Sequence, residues 1–124
     1  MIGADRASIL RSPQAYAQQG AERWRAVVAL KGARTYIATA DGPAYCFSDG
    51  SVGLATSGSG DTLAGLVAGL VARGARPLQA AAWAVYLHGT AGARLATRMG
   101  PLGFLARELL AEVPPLMADL ETVP

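Results

Sequence analysis

The sequence predicts a small α/β fold, in which a short sheet of about three strands is followed by three to four helices. Between residues 27 and 50, three short runs rich in β-branched and aromatic residues each end at a glycine, which is typical of strands. From residue 51 onward, apolar residues recur at helical spacing. The 124 residues are 52% hydrophobic and carry a formal net charge of only +2, which favours one compact domain over disorder.

The N-terminal part predicts a helix and then a strand. Residues 5 to 25 are expected to be helical, because Asp5 or Ser12 can cap a helix and Pro13 suits a first turn. The run VVAL, residues 27 to 30, is short, apolar and rich in β-branched residues, so we expect a buried central strand.

Two further strands are predicted over residues 35–42 and 44–50. Each segment ends in an Asp-Gly dipeptide, which is a turn signal. We therefore expect these strands to pair as a hairpin.

The C-terminal part predicts a loop followed by helices. Small residues make SVGLATSGSGD, residues 51–61, a loop, and Pro114-Pro115 is expected to break the last long helix and leave a short final turn. The predicted helices run from Thr62 to a C-cap at Gly74, from Pro77 to Gly100, and from about residue 104 to the proline pair.

The composition argues against nucleic-acid and membrane partners. The sequence pI is about 9.0, but the basic residues are scattered and aromatic residues make up only 6%, so no nucleic-acid footprint is expected. The apolar run at 63–72 is about half of the roughly 20 residues that span a bilayer, and Arg73 closes it. One cysteine, Cys46, and a charged N-terminal stretch indicate a reducing cytoplasm rather than secretion.

The strongest local motif is Gly58-Ser59-Gly60-Asp61 at the start of a predicted helix. Glycines there allow backbone amides to converge, and the helix dipole adds positive charge, so the turn suits an anion such as phosphate. Asp61 would repel that anion, which is tolerable if it accepts a proton from a hydroxyl. The alternative is that Asp61 only caps the helix and the glycines only turn the chain.

The surroundings of this motif carry a family resemblance. The stretch LATSGSGDTLAGLVAGLVARG resembles the signature of the ribokinase-like superfamily, in which a G-[ST]-G-D turn opens a helix. KGART, SVGLATSGSGDTLAG and AVYLHGTAGARLA together are similar to the C-terminal half of the ADP/ATP-dependent NAD(P)H-hydrate dehydratases. The resemblance runs from about Asp5 to Val113 and implies one partial ribokinase-like domain over residues 1–124, its nucleotide-binding half.

The resemblance also implies an activity and its ligands. Members of this family use ADP or ATP to dehydrate the hydrated nicotinamide ring of NADH or NADPH, and Mg²⁺ can enter with the nucleotide phosphates. Asp61 would be the acid-base residue, while Gly58, Ser59 and Gly60 would hold the transferring phosphate. The matching nucleotide-contacting positions are Lys31, Gly32, Ala33, Arg34 and Thr35, together with Ser51, Leu54, Ala55, Thr56 and Ser57 and the same Gly58, Ser59 and Gly60.

The sequence departs from the family pattern in two places. Family members are longer, and their N-terminal half supplies central strands and a His-Pro-Gly-Glu type substrate motif that has no match here. Asp49 and Gly50 also match poorly where relatives carry an Asn-rich segment. We therefore expect a homo-oligomer or a complementing polypeptide. Two alternative functions stay open: a ribokinase-like kinase of a vitamin precursor or sugar, and a non-catalytic nucleotide-binding subunit.

The remaining candidate residues are assigned structural roles. His88, the only histidine, is expected to pack inside a helix, and Cys46 to be a small buried hydrophobe. No spacing of metal ligands is present in the sequence. Gly65 and Gly69 should let their helix press against a neighbour, while Trp83 and Tyr86 should lie in the core or at an oligomer surface.

Overall fold

The computed structural model describes residues 3–121, which form two compact units that meet in sequence between Ser48 and Asp49. The first unit contains two helices and a three-stranded sheet, and the second is helical. The predicted content of about three strands followed by helices is confirmed. The assignment of residues 1–124 to one partial domain stays a prediction.

Two helices open the first unit, α1 (Arg6–Arg11) and α2 (Pro13–Trp24). The Asp5 carboxylate caps α1 by accepting a hydrogen bond of 2.8 Å from the Ser8 amide, and this bond lowers the pKa of the Asp5 carboxyl. The predicted helical segment is therefore present but interrupted, because the chain bends at Ser12 before Pro13 starts α2.

The sheet is antiparallel, with the order β1-β2-β3. Its strands are β1 (Val28–Leu30), β2 (Thr35–Ala38) and β3 (Tyr45–Phe47), so the predicted hairpin of the last two is confirmed. The prediction of β1 as a buried central strand is wrong: among the described strands β1 lies at an edge, and Ala29 is exposed. Three residues are too few for an apolar run to distinguish an edge strand from a central one.

Helix α2 covers part of this sheet. It packs on β1 and β2, and the small residues Ala17 and Ala21 allow the close approach to Ala38. Cys46 lies on the edge strand β3 and is exposed, so its expected burial is wrong. The apolar neighbours of Cys46 in the sequence suggested burial. They could not show that α2 packs mainly on β1 and β2 and not on β3.

The pairing register brings two strand ends to the same end of the sheet. Leu30 pairs with Tyr36, and Phe47 pairs with Thr35, so β1 and β3 both end where β2 begins. The chain therefore leaves the sheet on this side twice, once into the segment that starts at Lys31 and once toward Ser48.

The second unit consists of a 3₁₀ helix (Val52–Ala55) and the helices α3 (Ser59–Ala72), α4 (Pro77–Met99) and α5 (Ala106–Glu121). Helix α4 is central, since it packs against α3, α5 and the 3₁₀ helix. One cluster of buried core residues consists of Leu87, Ala91, Leu95, Phe104, Leu109, Val113 and Leu116.

Helix α5 continues through Pro114 and Pro115, so the predicted break there is wrong. A proline inside a helix removes a backbone donor and usually costs about 3 kcal/mol. Both prolines are exposed, whereas Val113 and Leu116 on either side are buried in the core. Tertiary packing of the buried face thus holds the helix together across the two prolines.

The outer face of α3 differs from its prediction. Gly65 and Gly69 are exposed, and a Cβ added to either would meet no atom within 4 Å, so the expected close helix contact is wrong for residues 3–121.

Trp83 and Tyr86 on α4 are also partly exposed and stack edge to face, with ring centroids 5.8 Å apart. None of the helices within the described chain has the length and apolar character needed to cross a membrane.

Candidate functional site

The first turn of α3 begins at a glycine in the left-handed conformation. Gly58 is the N-cap with φ of 83°, a backbone conformation that residues with a Cβ rarely adopt. Its carbonyl accepts two hydrogen bonds from Thr62, one from the amide at 3.0 Å and one from the hydroxyl at 3.2 Å. Helix α3 thus starts already at Ser59, and the predicted loop ends earlier than expected.

Three amides of the GSGD turn are left without a hydrogen-bond acceptor in the described part of the chain. The Ser59 amide donates to the Thr56 carbonyl at 3.3 Å and the Thr62 amide to the Gly58 carbonyl at 3.0 Å, whereas the amides of Gly58, Gly60 and Asp61 donate to no acceptor among residues 3–121. The first amides of a helix are unsatisfied within the helix and carry partial positive charge. An anion site here therefore has the amides of Gly58, Gly60 and Asp61 available, because those of Ser59 and Thr62 are already bonded.

Asp61 is exposed in the first turn of α3 and is not its cap. The cap position belongs to Gly58, and no side chain caps this helix. The alternative interpretation of Asp61 as a capping residue is therefore wrong. A carboxylate at this place is stabilised by the helix dipole and stays accessible to a ligand at the turn.

The Ser59 side chain points away from this exposed surface. It is buried, and its Oγ lies 2.9 Å from Nε2 of His88 on α4, which is buried as well. The same Nε2 lies 2.9 Å from the Ser59 carbonyl oxygen. The packing role assigned to His88 agrees with its burial, but its bond to the GSGD turn was not anticipated. The only sequence signal for it is a lone histidine in an apolar helix.

The loop before the turn is held by its own contacts. The Ser51 hydroxyl accepts a hydrogen bond of 3.2 Å from the Gly53 amide and caps the 3₁₀ helix. The Leu54 side chain is half-buried and packs against the core of the second unit. Ala55 and Ser57 are exposed, and Thr56 is half-buried.

The KGART segment forms a second candidate site, within the first unit. Lys31, Gly32, Ala33 and Arg34 are exposed and connect β1 to β2, and Thr35 begins β2. Residues 31–34, but not Thr35, border a pocket of about 240 Å³ whose walls are mostly apolar, with Leu30 and Tyr36 from the sheet and Leu10 from α1. The apolar walls, together with the basic side chains of Lys31 and Arg34 beside them, suit a ligand that has a flat apolar part and an anionic part.

The predicted site residues thus fall into two groups. Gly58, Ser59, Gly60 and Asp61 lie together at the start of α3 in the second unit, and Lys31 to Thr35 lie together in the first. In the part of the chain that the structure describes, no cluster of three or more His, Cys, Asp or Glu residues could hold a metal ion.

The fold and the GSGD turn define a ribokinase-like protein. The structure superposes on a ribokinase-like superfamily protein from Enterococcus faecalis with a TM-score of 0.78, at 32% identity over 90% of this chain and 38% of that chain.

Within that class, the chain belongs to the NAD(P)H-hydrate dehydratase family, whose family model matches residues 2–115. It is 49% identical to the ADP-dependent (S)-NAD(P)H-hydrate dehydratase of Xanthomonas campestris pv. campestris, over 97% of this chain and 42% of that protein. The ADP/ATP-dependent NAD(P)H-hydrate dehydratase of Bacillus subtilis, co-crystallised with ATP and Mg²⁺, matches with a TM-score of 0.86 at 31% identity, over 91% of this chain and 41% of that chain. The chain thus spans less than half the length of these relatives.

Proposed function

We propose that this chain supplies the ADP- or ATP-binding half of an enzyme that dehydrates hydrated NADH or NADPH. The observation that carries the proposal is the first turn of α3, where the open amides of Gly60 and Asp61 lie beside an exposed carboxylate that caps nothing. Phosphorylation of a hydroxyl requires an anion site and a proton acceptor next to it.

The proposed chemistry has two steps. In the first, Asp61 takes the proton of the ring hydroxyl while that oxygen forms a bond to the terminal phosphorus of the nucleotide, whose bond to the leaving phosphate oxygen breaks. In the second, the ring carbon–oxygen bond breaks, inorganic phosphate departs with the electron pair, and the ring loses a proton to restore its double bond. Amides at the start of α3 stabilise the negative charge that moves in the first step.

Nucleotide contacts are proposed within each unit taken by itself. In the first, Lys31 would meet phosphate as a point charge, with Gly32 to Thr35 lying along the ligand. In the second, the residues between Ser51 and Gly60 would follow the nucleotide. Any Mg²⁺ would arrive with the phosphates. The Bacillus subtilis relative was co-crystallised with ATP and Mg²⁺.

The substrate side is proposed to come from further polypeptide. The relatives are more than twice as long as the region that this chain matches, so a complementing polypeptide or a second copy would complete the site. Exposed large apolar residues such as Trp83 and Leu110 are consistent with a covered surface. We expect this assembly in the cytoplasm, where its nucleotide substrates are found.

Calorimetric titration of the 124-residue chain tests the proposal directly. ADP and ATP are titrated with and without Mg²⁺, and AMP is the matched control because it lacks the phosphate that would be transferred. Saturable binding of ADP or ATP, stronger than that of AMP, is expected. Absence of binding under all these conditions would overturn the proposed function.

In the completed assembly, a phosphorylated vitamin precursor in place of restored NADH would favour the kinase alternative.

A further inference from the structure

His88 connects the middle of α4 to the first residue of α3. Its side chain is buried, and Nε2 lies 2.9 Å from the carbonyl oxygen of Ser59 and 2.9 Å from the hydroxyl oxygen of the same residue. Ser59 is buried as well, so water does not compete for these bonds.

The contact defines which ring nitrogen carries a proton. A carbonyl oxygen can only accept a hydrogen bond, so Nε2 of His88 must be protonated to bond the Ser59 carbonyl. The same N–H is within reach of the Ser59 hydroxyl oxygen, which accepts a share of it. One imidazole N–H therefore holds two oxygens of one residue.

This bond acts on a turn in which Ser59 has a glycine on either side. Ser59 stands between Gly58 and Gly60, neither of which has a Cβ that could fix the turn by packing. The Ser59 amide is already bonded to the Thr56 carbonyl at 3.3 Å. With His88 on the carbonyl and the hydroxyl, every polar group of Ser59 is bonded, and the next two residues supply two of the open amides.

We propose that His88 is a positioning residue for the anion site. Its Nε2–H fixes Ser59 and thereby the direction of the Gly60 and Asp61 amides and the place of the Asp61 carboxylate. This inference rests on the proposed function, because it assigns His88 a role in that same site. Misplacement of catalytic groups by about 1 Å can cost on the order of a hundredfold in rate, so a distant residue can matter.

Two amide substitutions separate positioning from packing. In His88→Gln the side-chain NH₂ can reach about as far as Nε2 and donate to Ser59, whereas in His88→Asn it reaches only about as far as Nδ1. We expect His88→Gln to keep the dissociation constant for ADP within about threefold, and His88→Asn to weaken it about tenfold or more. In the completed assembly, kcat should fall more than KM rises in His88→Asn, with rescue in His88→Gln.

Nuclear magnetic resonance gives a readout that does not depend on activity. His88 is the only histidine, so its imidazole signals are assigned without ambiguity. We expect a protonated Nε2 that exchanges slowly with water, and we expect the Gly60 and Asp61 amide signals to move in His88→Asn but to stay near the wild-type positions in His88→Gln.

The outcomes are distinct for the two proposals. A wild-type chain that binds no nucleotide removes the proposed function, and the positioning of the turn is then judged on the amide signals alone. An unprotonated Nε2, or a folded His88→Asn variant with unchanged Gly60 and Asp61 signals and unchanged ADP affinity, would overturn the role of His88. Denaturant unfolding of each variant identifies losses that come only from stability.

Discussion

The side chain of Leu54 packs directly on Gly92 in α4. A Cβ added at Gly92 would lie 2.6 Å from Cδ2 and 2.7 Å from Cγ of Leu54, which is closer than carbon atoms can approach. This contact places the 3₁₀ helix Val52–Ala55 on α4, a few residues before the GSGD turn. Glycine is therefore required at position 92 by the neighbouring Leu54 side chain. The helical backbone at this position does not itself require a glycine.

Gly92→Ala should destabilise the chain. Alanine improves helix propensity by about 1 kcal/mol, but overpacking against Leu54 costs typically 1–3 kcal/mol, so we expect a net loss of about 1 kcal/mol in the free energy of unfolding. Denaturant unfolding measures this. Gly65→Ala is the matched control, because a Cβ at this exposed position of α3 meets nothing within 4 Å and should stabilise the chain by up to about 1 kcal/mol. Equal effects of the two substitutions would contradict the contact.

Asp61→Asn should separate turnover from binding. Loss of the proton acceptor should lower turnover of the completed assembly by about a hundredfold or more, while ADP affinity stays equal or improves because a charge near the phosphate is gone. Removing a carboxylate from the first turn of α3 should cost no more than about 1 kcal/mol of stability. Steady-state kinetics, calorimetry and denaturant unfolding measure the three quantities.

The control for Asp61 is Asp41→Asn, which changes an exposed carboxylate in a turn of the first unit. It should leave all three quantities unchanged. Near-normal turnover of Asp61→Asn, or a loss that only follows unfolding, would exclude Asp61 as the base.

Lys31→Ala should weaken nucleotide binding by about 1–3 kcal/mol, because an ammonium group bonded to phosphate makes a charge-assisted hydrogen bond. Calorimetric titration with ADP measures the change. Arg107→Ala removes an exposed positive charge from α5 and controls for the change in net charge. If the ADP dissociation constant is the same in wild type and Lys31→Ala, Lys31 is excluded from the nucleotide site.

The isolated chain should self-associate or require a complementing polypeptide. Trp83 and Tyr86 are 43% and 37% exposed, Leu110 is 54% exposed, and within residues 3–121 β1 and β3 form the two edges of the sheet. Exposed apolar side chains and open strand edges favour association. Sedimentation velocity over a range of concentrations measures the state of the chain. A soluble monomer that unfolds cooperatively at all concentrations would contradict this prediction.

The local elements could be predicted because their signals are local. The cap at Asp5, the proline at the start of α2, the hairpin of β2 and β3, and the glycine at the start of α3 all depend on residues that are neighbours in sequence. The GSGD motif could likewise be placed at a helix start from the sequence, and with it the candidate role of Asp61.

The features that only the tertiary structure decided depend on contacts between residues that are distant in sequence. The edge position of β1 follows from pairing, the continuity of α5 through Pro114 follows from burial of its apolar face, and the need for Gly92 follows from Leu54. The bond from His88 to Ser59 spans two helices and leaves no local pattern. Sequence periodicity reports which face of an element is apolar, but the partner of that face is set by the packing of the whole unit.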